Sequence, residues 1–169
     1  MPDFSVNNLN DLNRVFKHIE RIVRINIPEA MTKIKEVLVD YIMTNWYSRI
    51  GFSPSNYTRT YQYVNSIDIS KVEMRGDGQI SASIFFDTNK IRPLPPAFPG
   101  EWGQHQGLSG QDVSAAIPYF IEFGNNSPLY SYEGVAPVAN TIRIVQQRHI
   151  HTAALADALR KAGYVVTIE

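Results

Sequence analysis

The spacing of apolar residues changes character along the chain, and that change limits the fold more than any single motif does. Leu9, Leu12, Phe16, Ile19 and Ile22/Val23 recur at intervals of three and four, the spacing of one face of an amphipathic helix. Asn7 or Asn8 is placed to cap that helix, and Asp11 to complement its dipole. Asn26-Ile27-Pro28-Glu29 reads as a break and restart, because proline suits a first helical turn but removes a hydrogen bond from an interior. A second helix is expected from about Pro28 to Ser48, burying Met31, Ile34, Leu38, Tyr41/Ile42 and Trp46.

Past a turn-rich stretch at 51–56 the period falls to two. Ser66-Ile67-Asp68-Ile69-Ser70 predicts a strand, and Val72 and Met74, out of phase with it, predict a bulge or a break near Ser70-Lys71. Arg75-Gly76-Asp77-Gly78-Gln79 predicts a hairpin turn, because glycine adopts the positive φ such turns need. The return strand puts Ile80, Ala82, Ile84 and Phe86 on one face. From 91 to 115 periodicity vanishes among prolines and glycines, and a stretch of that length within a compact domain is usually functional or disordered. Residues 117–124 fit a short strand or a helical turn, and 125–134 read as a loop. A final helix is expected over about 136–162, with Val138, Ile142, Val145, His149, Ala153, Ala156 and Leu159 near one stripe, followed by a last strand at Val165, Val166 and Ile168. The order predicts an α+β fold: N-terminal helices, a small antiparallel sheet built around a hairpin, and a long C-terminal helix. It is read as a single domain over 1–169, with a long Pro/Gly-rich loop inserted at about 91–115.

Composition narrows the chemistry. Sixteen basic and sixteen acidic residues cancel, so a whole-chain field of the kind that draws in nucleic acid is absent. The distribution is uneven: residues 14–49 carry a net +3, 91–136 a net −3 and 137–169 a net +2, a pattern that suits head-to-tail contact between copies as well as solvated helix faces. The absence of cysteine removes thiol catalysis, disulfides and thiolate metal sites. No segment has the run of about twenty apolar residues a membrane span needs, and no leader pattern opens the chain, so the expectation is a soluble, unprocessed protein with no membrane partner.

Catalytic and cofactor motifs are sparse. His149 and His151, two apart on a helix, point about 200° from one another and cannot share a metal. His105 has Glu101 four residues before it and Ser109 four after, which leaves open a small acid–base site, but the glycine before a nucleophilic serine is missing. Neither glycine-rich phosphate-binding pattern occurs. The expectation is no enzyme, no cofactor and no metal.

Two passages carry a family resemblance. Ser53-Pro54 followed by Arg59-Thr60-Tyr61-Gln62-Tyr63-Val64-Asn65-Ser66-Ile67 resembles the Pro…Thr-Gly-x-Leu-x-x-Ser-Ile passage of tailed-bacteriophage neck and tail-completion (head–tail joining, minor tail) proteins. Ile117-Pro118-Tyr119-Phe120-Ile121-Glu122-Phe123-Gly124 is similar to their Tyr-x-x-x-Glu-Phe-Gly passage before a C-terminal helix. The matching positions are Thr60, Ser66, Ile67, Tyr119, Glu122, Phe123 and Gly124. Tyr61 stands where the family usually has glycine and Tyr63 where it often has leucine, and the loop at 91–115 looks like an insertion.

The resemblance implies a structural virion protein, assembled in the host bacterial cytoplasm. It would form a homo-oligomeric ring, hexameric or dodecameric, at the head–tail junction, contacting the portal-side adaptor and a tail terminator or tube. DNA would pass through the lumen without being read, and a neutral total charge suits such a conduit. Arg92, Phe98, Trp102 and His105 then become the candidate contact loop toward a neighbouring ring. The alternatives are a small enzyme with a site around Glu101, His105 and Ser109, or a regulatory DNA-binding protein using the basic N-terminal helices.

Overall fold

The computed structural model describes residues 9–48, 60–74, 76, 78–94, 105–106, 111–126 and 131–168. Two compact units emerge: one of Met1–Ile34, Ile69–Ser83 and Val145–Glu169, the other of Lys35–Asp68 and Ile84–Ile144. The fold is α+β, with a long N-terminal helix, small two-stranded antiparallel pairs and helices at the C-terminal end.

The break expected at Pro28 does not occur. Helix α1 runs unbroken from Leu9 to Ile42 with the proline inside it. The reason is phase: Ile19, Val23, Ile27, Ala30, Ile34, Leu38 and Ile42 continue one stripe straight through the proline, and every one of them is buried or half-buried. Pro28 can give no N–H to the helix ladder. Side chains add bonds on either side of it: Asn26 Nδ2 donates to the Ile22 carbonyl (2.7 Å) and Thr32 Oγ1 to the Pro28 carbonyl (2.9 Å). The stripe also starts later than expected. Leu12 and Phe16 are exposed, Phe16 at 58%. The helix ends in a wider π-type turn, Met43–Tyr47, that buries Tyr47 and leaves Trp46 packed against the core edge.

In the first unit, β2 (Glu73–Met74) and β3 (Ile80–Ser81) form the hairpin foreseen at Gly76 and Gly78, in register Glu73↔Ser81 and Met74↔Ile80. The foreseen break falls at Ser70, where the Ser70 N–H donates to the Ser83 carbonyl (2.8 Å) and the Ser83 N–H to the Ser70 hydroxyl (2.9 Å). Helix α5 (Ile150–Lys161) closes with Gly163 at φ +93, its N–H on the Arg160 carbonyl and that of Tyr164 on Leu159. The last strand expected at 165–168 is absent there; instead Arg160 Nη2 donates to the Val166 carbonyl at 3.0 Å.

The second unit holds the main core: Leu38, Ile42, Tyr47, Tyr63, Ile67, Ile91, Ile121 and Val135. A single helical turn, α2 (Gln62–Asn65), leads into β1 (Ile67–Ile69), which pairs with β4 (Ile84–Phe86). Helix α3 (Ile117–Phe123) resolves the ambiguity of its segment in favour of helix. The loop expected over 125–134 instead contains an antiparallel pair, β5 (Gly124–Asn126) with β6 (Ser131–Glu133). The expected C-terminal helix is two helices, because the chain turns at His149 (φ +51) between α4 (Pro137–Gln147) and α5, where no glycine or proline signals a stop.

Candidate functional site

The family-like positions fall in the second unit, and most of them turn out to build the fold. Ser66 is fully buried and ends α2; its hydroxyl donates to the Tyr63 carbonyl (2.6 Å) and its own carbonyl accepts the Asp87 N–H (2.7 Å). Ile67 follows directly into the core at 1% exposure. Thr60 Oγ1 accepts weakly from the Gln62 N–H at 3.4 Å. Tyr61 adopts the left-handed backbone (φ +54) that glycine takes most readily, with its ring 4.9 Å from that of Tyr47.

Glu122 and Gly124 form a junction between two short helices. Helix α4 begins after Ala136, whose side chain offers no oxygen to cap the first exposed N–H groups. Glu122 supplies the missing acceptor from α3: its carboxylate takes the N–H of Val138 (2.8 Å) and of Ala139 (3.1 Å). In return the free carbonyls at the end of α3 are satisfied, Ile121 by the Val135 N–H (2.9 Å) and Glu122 by the Ala136 N–H (3.2 Å). Gly124 ends α3 at φ +91. Gly134 is confined by neighbouring backbone, since a Cβ there would lie 2.4 Å from the Glu122 carbonyl oxygen and 2.5 Å from the Gly124 nitrogen.

Tyr119 and Phe123 take no part in that bonding. They lie one turn apart on α3, 62% and 69% exposed, with ring centroids 4.8 Å apart. On α4, Val138 and Ile142 are also exposed, Ile142 at 52%. They had been expected inside; the buried line on that helix is Pro137, Thr141 and Val145, one residue out of step. Sequence spacing alone could not have separated the two lines, because α4 carries apolar residues on both.

In the candidate loop, the described portions meet. The Arg92 N–H donates to Gln62 Oε1 (2.7 Å), while its carbonyl sits 3.0 Å from His105 Nδ1, a geometry that calls for the proton on Nδ1. His105 has φ +59 and its carbonyl accepts the Val113 N–H (2.9 Å); Gln106 then bridges to Asp112. Hydrogen bonding to Ser114 holds the Asp112 carboxyl below its usual range, with His105 a smaller influence. Phe98 and Trp102, and Glu101 and Ser109 of the alternative acid–base site, lie outside the described residues.

Tyr63 is the one strongly perturbed group among the described residues of this unit. Burial pushes its phenol well above the usual range, and the negative charge of Glu122 adds to the shift. Its ring stacks on Phe86 at 4.9 Å, and among the described residues its hydroxyl has no hydrogen-bond partner. No three His, Asp or Glu side chains among the described residues gather into a metal-holding cluster, and no described helix is long and apolar enough to cross a membrane. Compared with protein-family models, with curated proteins and with solved structures, the chain matches none.

Proposed function

We infer that the chain is a non-enzymatic structural subunit of a tailed-phage head–tail junction, a neck or tail-completion protein that assembles into a homo-oligomeric ring and lets DNA pass. The observation that carries this reading is the contrast within the Tyr-x-x-x-Glu-Phe-Gly passage. Its Glu122 and Gly124 are consumed in joining α3 to α4, while Tyr119 and Phe123 stay exposed as a paired aromatic surface, with Val138 and Ile142 uncovered on the helix that Glu122 caps. Aromatic side chains left in water at this density favour a subunit interface, since Tyr and Phe are enriched where protein surfaces meet. A ring needs such a surface to meet a different patch on the next copy. The head-side adaptor or portal and the tail terminator or tube are the further partners of this reading, and the virion is its place.

The test is the mass of the purified protein, by native mass spectrometry and light scattering, alone and mixed with its genomic neighbours. A six- or twelve-fold assembly supports the reading. A monomer that persists at high concentration and beside those neighbours refutes it.

A further inference from the structure

The balanced total charge hides one concentrated field. Between residues 12 and 28 of α1 there are four basic residues and a single acidic one. Arg14, Lys17, Arg21 and Arg24 follow the spacing i, i+3, i+7, i+10, which at 100° per residue places all four within about 80° of one another around the helix. All four are exposed. Among the described residues none of them is ion-paired; Arg24 makes only a long contact to the Met74 sulfur (3.7 Å). Glu20 is half-buried beside them and pairs with none, and with Lys17, Arg21 and Arg24 it lines an open recess of about 310 Å³. Among the described residues Lys33, Lys90 and Arg160 each have a carboxylate within 4.0 Å, while exposed cations such as Arg148 and Lys161 also lack one, so what sets the stripe apart is four unpaired cations aligned on one helix face.

We propose that this stripe is a contact for the phosphate backbone of double-stranded DNA, one that reads no bases. The four cations span about 15 Å of helix axis, the length of some four base pairs at ~3.4 Å per step, so they face a continuous row of like charges. A membrane surface fits the same helix less well. An interfacial helix buries its apolar face in lipid, whereas the apolar line of α1 through Ile19, Val23 and Ile27 is already half-buried in the protein. Contact through only four cations is weak and strongly screened, the regime in which proteins slide along DNA, so it is compatible with DNA in motion. The inference stands apart from the connector reading, because a monomer carries the whole stripe.

The experiment is fluorescence anisotropy of a labelled 30-base-pair duplex of random sequence, titrated with the full chain between 50 and 200 mM salt. Four phosphate contacts give a slope of log K on log salt of about −3.6, a loss of roughly 150-fold across that range. The variant R14Q/K17Q/R21Q/R24Q abolishes binding, whereas K33Q/K35Q/R148Q/K161Q, with the same change in net charge, retains most of it. Each single glutamine lowers the magnitude of the slope by about 0.9, which keeps the test decisive if circular dichroism finds the fourfold variant misfolded. The proposal is overturned by absence of duplex binding at 50 mM salt, by equal losses in the two fourfold variants, or by binding to phosphatidylserine vesicles with none to the duplex.

Discussion

Removing the Glu122 carboxylate should destabilise the protein through α4, a helix that is fifteen residues away in sequence. Glu122→Ala deletes the acceptor of two backbone N–H groups, at 2.8 and 3.1 Å, in the first turn of that helix. A buried hydrogen bond to a charged group contributes about 1.5–3 kcal/mol, and loss of an N-terminal cap costs about 1 to 2 kcal/mol. Glu122 is only half-buried, so water re-solvates part of what is lost, and the sum settles near 2 kcal/mol. For a chain of 169 residues that lowers the melting temperature by about 4–8 °C. Glu122→Gln keeps an oxygen but loses the charge, so it should cost about half as much. Urea unfolding followed by circular dichroism at 222 nm, with a thermal scan, measures both. The capping account fails if Glu122→Ala stays within about 0.5 kcal/mol of the parent, or if glutamine is more damaging than alanine.

Further outcomes follow from the same unit. Gly134→Ala, whose Cβ would press on backbone atoms 2.4–2.6 Å away, should cost about 3 kcal/mol. Combined with Glu122→Ala it should cost less than the two losses added, because both changes open one junction; a fully additive double mutant would refute the coupling. Tyr63→Phe removes a buried hydroxyl that has no partner, so chemical denaturation at pH 7 should find it as stable as the parent or more so. The raised folded-state pKa of Tyr63 means the parent loses stability above about pH 10, where the unfolded tyrosine ionises first; Tyr63→Phe should flatten that alkaline decline, and an unchanged pH profile would contradict it. Tyr119→Ser with Phe123→Ser, at 62% and 69% exposure, should leave the melting temperature nearly unchanged while dispersing any oligomer seen by light scattering. Retained assembly would remove the aromatic pair from the interface.

What could be read in advance depended on how local its cause was. The hairpin was legible because Gly76 and Gly78 carry its turn within the five residues that separate β2 from β3. The stripe of α1 was legible too, but its continuity was missed: Pro28 was weighed by itself, while Ile27 and Ala30 on either side keep the buried face in phase. Pairing of β5 with β6 has no apolar alternation to announce it. Asn125 faces Tyr132 in a ladder set beside the α3–α4 junction, where Gly134 packs against Glu122 and Gly124. Glu122, Phe123 and Gly124 could be picked out as a pattern, yet their division of labour could not. Whether a side chain caps a helix or faces water depends on where Val138 and Ala139 arrive in space. The basic stripe was visible as a charge excess over 14–49, and became specific only once α1 proved continuous enough to align Arg14 with Arg24.

The clasp at the mouth of the proline-rich stretch bears on how this protein can drift. Gln62 holds the Arg92 N–H and His105 lies against the Arg92 carbonyl, so the two ends of the intervening chain are fastened to each other and to α2. With its ends already held, doubling the number of residues between them adds only about 0.6 kcal/mol of closure entropy. By closure entropy alone, a change in the number of residues between 94 and 105 therefore costs little, provided Gln62 and His105 persist. The constraint on this stretch sits in the buckle, where Gln62 and the His105 ring are fixed by what they bond, rather than in the length of chain it closes.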